Sequence, residues 1–238
     1  MRSERMSAIK QFIVIILILI IVPNASAENN TTKISSDSRE LLQELGILSS
    51  IEFPESGIIT RRQGLKIAAT IKCHGWYPIY NSQSQIKFLN TYYTDIEDNT
   101  DDCNLVVMCT IQEILKGTYD EKGNLIADLD GTLSYRDALT FLNRVLFVDL
   151  VQESNARITF GDDWWLEWAK EQGLIRNNSY EQIINMPIIT YANQYDAIPA
   201  DVFLELAYRT LYIPRVINTY GGPLQQYHIE EFILGMAR

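Results

Sequence analysis

Apolar residues recur along this chain at helical spacing in short stretches that come in pairs, and the pair occurs three times. The first stretch of each pair closes at a glycine: Glu44-Leu45-Gly46-Ile47-Leu48, Ile114-Leu115-Lys116-Gly117 and Glu171-Gln172-Gly173-Leu174-Ile175. The second opens at Ile59-Thr60-Arg61-Arg62-Gln63, at Leu133-Ser134-Tyr135-Arg136-Asp137 and at Ile198-Pro199-Ala200-Asp201. Leu65, Leu139 and Leu204 then fall in register, and Phe141-Leu142-Asn143-Arg144 lies over Leu206-Ala207-Tyr208-Arg209. The pattern predicts helices at about 38–45, 60–72, 104–116, 136–147, 163–172 and 199–212. Asp37 and Glu40 stand at capping-box spacing for the first of these, and Asp162 or Asp163 caps the fifth. An aromatic connector over 75–93 holds Trp76, Tyr77, Tyr80, Tyr92 and Tyr93, and a short helix over 226–236 follows Pro214, Gly221, Gly222 and Pro223. A helix pair with one apolar face cannot bury it alone, so three pairs must share a core. The expected fold is mainly α, three helix-loop-helix units over about 37–75, 93–148 and 160–213. A polar tail over 28–36 precedes them, and 214–238 forms a C-terminal linker and helix.

The second-helix entries carry the chemistry. Thr60 with Gln63 forms a capping box, Ser134 caps the second copy, and Pro199 suits a first helical position. Arg61 has no such explanation, because a cation at a helix N-terminus faces the positive end of the dipole. An anion held by the arginine and free backbone amides would account for it. A surface ion pair with a nearby carboxylate is the alternative.

These entries, the three glycine closures and Tyr93-Thr94-Asp95-Ile96 with Asp130-Gly131-Thr132 resemble the S-layer homology family, secreted three-repeat modules that hold proteins on bacterial cell-wall glycopolymers. The resemblance implies a pseudo-threefold assembly of the three repeats. It also implies that the arginine of the family's I-T-R-A-E motif, here Arg61, contacts an acidic sugar group. The second copy has Tyr135 in that place with Arg136 one step on, and the third has Ala200. Candidate glycan contacts are therefore Arg61, Arg62 and Arg136, with Trp76 and Trp164 as aromatic platforms. Arg61 is expected to dominate. For Trp164, in Asp162-Asp163-Trp164-Trp165 with Trp168, packing in the core is the competing reading.

The N-terminus sets the expected compartment. Arg2, Arg5 and Lys10 precede an apolar run over 12–22, then Pro23 and Ala25-Ser26-Ala27, the form of a cleaved secretion signal over 1–27. The apolar run is short of the roughly 20 residues that span a bilayer. The whole chain carries −10, and loss of the signal would make it more acidic still. That balance disfavours nucleic acid and anionic membrane surfaces as partners, and it makes an isolated Arg61-Arg62 pair conspicuous.

Cys73, Cys103 and Cys109 allow one bridge with a free thiol, with Cys73 the better partner, or three buried thiols. With two histidines and no paired CxxC, no metal is expected. Asp128-Leu129-Asp130-Gly131 echoes a calcium loop, but Ile126 stands where the first ligand belongs, so a turn is expected. No catalytic motif or cofactor fingerprint occurs. The expected function is a non-catalytic, secreted cell-surface module binding an acidic secondary cell-wall polysaccharide. The alternative is a structural module that binds other surface proteins and has lost the glycan.

Overall fold

The computed structural model describes residues 31–49, 51–52, 57–73, 92–97, 100–147, 150–217 and 225–229. Residues 1–27, where a secretion signal is expected, Trp76 and most of the aromatic connector lie outside them. The fold is mainly helical: α1 (Thr31–Glu44), α2 (Arg61–Lys72), α3 (Asp101–Ile111), α4 (Tyr135–Leu146), α5 (Leu150–Phe160), α6 (Trp164–Glu171), α7 (Asn178–Ile183) and α8 (Ala200–Tyr212). Two small antiparallel hairpins join them, β1 (Thr118–Tyr119) with β2 (Leu125–Ile126) and β3 (Arg215–Ile217) with β4 (Gln225–Tyr227).

The apolar faces of α2, α4 and α8 meet at the centre, with Leu65, Leu139 and Leu204 all buried. Around them α1 packs on α8, α3 on α2 and α6 on α4, so the first helix of each sequence pair lies on the second helix of a different pair. The segments entering the three central helices close a ring of backbone hydrogen bonds. Leu133 N–H donates to Ile59 O at 3.0 Å, Ile198 N–H to Leu133 O at 2.9 Å, and Ile59 N–H to Ile198 O at 3.4 Å. All three ring side chains are fully buried, so these bonds lie in a dry core, where an unmet amide costs most. At the far end of α2, Lys72 donates to the carbonyls of Arg144, Val145 and Phe147 and so caps the C-terminus of α4.

Several boundaries differ from the expected ones. α1 starts inside the predicted polar tail, which puts Asp37 within the helix rather than at its cap. α3 runs from Asp101 behind a Thr100 cap to Ile111, five residues short of the predicted end. Its left-handed closing residue is Glu113 at φ +60°, matching Gly46 at +74° and Gly173 at +78°. The amides of Ile114, Ile47 and Leu174 then reach back to Cys109, Leu42 and Ala169 at 2.8–2.9 Å. Gly117 therefore does not close the helix. It lies against Tyr93 and Leu125, where an added Cβ would meet atoms at 2.7 and 2.9 Å.

Helices α5 and α7 were not expected at all. Asp163 flanks α6 without a side-chain cap bond, Pro199 is the N-cap of α8 rather than its first residue, and Gln226-Tyr227 is strand rather than helix. The Tyr227 end of that strand pairs with Arg215, and its geometry is set by the ladder with β3.

Candidate functional site

The three helix entries show what each motif residue faces. The Thr60 capping box forms: Gln63 N–H donates to Thr60 Oγ1 at 3.3 Å, and Thr60 N–H to Gln63 Oε1 at 3.0 Å. Ser134 Oγ accepts from Asp137 N–H at 3.1 Å. At the first two entries the next two first-turn amides are also used, and at the third the Ala200 amide is. Arg61 and Arg62 donate to Gly131 and Leu129, Tyr135 and Arg136 donate to Asp196 and Gln194, and Ala200 donates to Gly57. Free amides were expected beside Arg61 to help hold an anion, but the Gly131 and Leu129 carbonyls of the segment ahead of the second entry occupy them.

This pairing aligns the entries by geometry. Arg61, Tyr135 and Ala200 occupy the first helical position and are all buried. Arg62, Arg136 and Asp201 occupy the second, and Arg62 and Arg136 lie beside the neighbouring loop. Arg136 is thus the counterpart of Arg62, not a displaced Arg61.

Arg61 points inward. Its Nη1 donates to Asp137 Oδ2 at 2.6 Å, its Nε to Ala127 O at 3.3 Å, and its guanidinium lies 5.4 Å from the Phe141 ring centre. The side chain is 7 % exposed, so the expected principal anion contact is an interior strut between α2 and α4.

Arg62 opens into a cleft of about 310 Å³ lined by Asp95, Glu97, Asp102, Asp128 and Asp130. Its Nη2 meets Asp130 at 2.9 Å and Asp102 at 3.0 Å. Asp95 in turn accepts from the amides of Ala127 and Asp128 at 2.9 and 2.8 Å, holding the loop that presents Asp130. Five carboxylates against Arg62, with Arg61 at 3.9 Å from Asp128, leave this cleft with a net negative field, which repels an acidic polymer.

Arg136 is placed differently. Its Nη1 donates to Tyr195 Oη at 3.0 Å and to Gln194 Oε1 at 3.3 Å, and its guanidinium carbon lies 5.9 Å from the Tyr195 ring centre. Among the described residues no carboxylate pairs with it. Tyr195 is 72 % exposed, with Tyr191 and Ile188 also exposed on the same stretch of chain. At the third entry Asp201 takes the arginine's place, with Val202 N–H donating to its carboxylate.

The aromatic candidates divide. Trp164 is buried, with Arg157 over its ring at 4.6 Å and Phe147 stacked at 6.2 Å, so its indole packs in the core and presents no open platform. Trp76 is outside the described residues. Tyr195 went unnoticed in the sequence, since an isolated tyrosine in a loop gives no signal until its neighbour 59 positions away is known.

Two buried arginines also went unread. Arg144 donates to Ile114 O at 2.9 Å and pairs with Glu153 of α5, and Arg209 donates to Leu174 O at 3.0 Å and pairs with Glu181 of α7 and Glu205. Ser38 of α1 closes the second network by donating to Glu205. The three cysteines are free thiols, and burial pushes the Cys109 thiol above its ordinary range, as it does Cys73 against the opposing pull of Lys72. No family model matches this chain, and no curated protein is significantly similar to it in sequence.

Proposed function

We propose that this protein is a non-catalytic, secreted cell-surface module that binds an acidic secondary cell-wall glycopolymer, and that its three helix pairs form one pseudo-threefold unit of the S-layer homology kind. The cyclic order of helix packing and the closed ring through Ile59, Leu133 and Ile198 support the assembly. The observation that carries the binding reading is Arg136. It is a half-buried arginine at a helix entry, held among the described residues by neutral groups, in a chain of net charge −10. Water serves the remaining donors of this arginine in the free protein, and an anion that replaced it would gain charge-assisted contacts.

The binding motif is reduced relative to the family pattern. Arg61 is spent on Asp137, Arg62 on Asp102 and Asp130, and the third entry is acidic. Among the described residues one working site remains, at Arg136 with Tyr195. The acid-lined first cleft favours a second reading, an interaction module for other surface proteins, in which the glycan role has been lost.

Co-sedimentation with purified wall sacculi separates the two. Sacculi should retain the protein before, and not after, cold hydrofluoric acid removes their non-peptidoglycan polymer. Equal retention on both would replace the glycan reading with the interaction-module reading.

A further inference from the structure

The two arginine-bearing entries are built alike and differ in one facing residue. Arg62 and Arg136 both donate their backbone amides to the loop ahead of the next helix entry, at Leu129 and Gln194. The residue after each acceptor then meets the guanidinium: Asp130 at 2.9 Å from Arg62 Nη2, and Tyr195 at 3.0 Å from Arg136 Nη1. At the first entry the loop supplies a carboxylate and cancels the charge. At the second it supplies a phenol, which accepts one hydrogen bond and leaves the charge in place.

A guanidinium offers five N–H donors in a planar fork. Among the described residues Arg136 spends only Nη1, on Gln194 and Tyr195, which leaves its other donors for a ligand. Gln194 is 4 % exposed and fixes the guanidinium from below. Tyr195 is 72 % exposed and has the guanidinium over its ring, 5.9 Å from the ring centre, with Tyr191 and Ile188 on the same stretch of chain. An aromatic face next to a fixed guanidinium suits a pyranose ring that carries an acidic substituent, with ring C–H groups on the aromatic face and the anion on the arginine.

Resting on the glycan reading above, we infer that Tyr195 is the specificity-determining residue of this site. It keeps Arg136 uncompensated and stacks on the sugar that bears the acid. A carboxylate at position 195 would turn the second entry into a copy of the first and close it to anions. Tyr195 is exposed and its side chain fills no core space, so substitutions there test binding rather than folding.

The test is the affinity of the purified protein and four variants for native wall sacculi, with melting curves as a check on the fold. Tyr195→Asp should bind as weakly as Arg136→Ala, each down by about tenfold or more, the scale of one lost charge-assisted contact. Tyr195→Phe keeps the ring and the charge and removes only a hydroxyl that accepts from Arg136, so its affinity should stay within about threefold of wild type. Tyr195→Ala should lie between them. If Arg136→Ala weakens binding while Tyr195→Asp binds like wild type, this role for Tyr195 is wrong and the glycan reading stands. If Arg136→Ala itself has no effect, the glycan reading fails and this inference falls with it.

Discussion

At the scale of single residues, the fold depends on where the chain turns left-handed. Glu113 takes that conformation at φ +60° in the place where the first and third units use glycine. A non-glycine residue pays roughly 1 kcal/mol for it, because its Cβ crowds the backbone. Glu113→Gly should therefore raise stability by up to about 1 kcal/mol, partly offset by the greater freedom of glycine in the unfolded chain. Chemical denaturation would show this as a higher midpoint at unchanged slope, and a lower midpoint would mean that the Glu113 side chain has a stabilising role of its own. The residue scale is also where sequence reading was weakest. Gly117 looked like the helix closure because it is the nearest glycine, but the closing geometry is set by which amide reaches Cys109, and Ile114 does so. Arg61 stands out at a helix start, but its charge is met by Asp137 in the interior. Its partner Asp137 lies 76 positions away, so whether it faced solvent or the interior could not be read from its neighbours.

At the scale of elements, α5 and α7 each bring a carboxylate to a buried arginine, Glu153 to Arg144 and Glu181 to Arg209. The inward face of α5 carries Glu153 and Ala156, while Val151 and Ile158 point to solvent. That inverts the usual amphipathic pattern, and it explains why the stretch did not read as a helix. Burial alone would raise the Glu153 carboxyl, but Arg144, Arg157 and Lys116 together hold it at about 2, from an ordinary 4.5. A carboxylate depressed in the folded state contributes stability that is fully present above its unfolded value and is lost as pH falls toward the folded one. The contribution is about 3 kcal/mol at neutral pH, and it should disappear between about pH 4.5 and 2. Denaturation of wild type and Glu153→Gln across that range should show their stability difference shrinking as pH falls. A difference that stays constant would mean that Glu153 does not titrate in this window. The helix starts, by contrast, were legible because caps are local: Thr60 with Gln63 and Ser134 with Asp137 bond within three residues of each other.

At the scale of the whole molecule, the repeated apolar register gave the centre of the fold. Leu65, Leu139 and Leu204 are buried together, as a shared core requires. What the register could not give is the order in which units pack, since α1 lies on α8 and the entry ring joins residues far apart in sequence. That order decides the site. It sets Asp130 against Arg62 and Tyr195 against Arg136, and so gives two similar entries opposite electrostatic characters. The central claim is that Arg136 is the anion-binding cation of this module. Its direct measurement is the dissociation constant for native wall sacculi of wild type, Arg136→Ala and Arg61→Ala, alongside their melting temperatures. The account predicts that Arg136→Ala binds about tenfold more weakly or worse at an unchanged melting temperature, while Arg61→Ala loses stability through its broken ion pair with Asp137. Wild-type affinity in Arg136→Ala, with the fold intact, would contradict it.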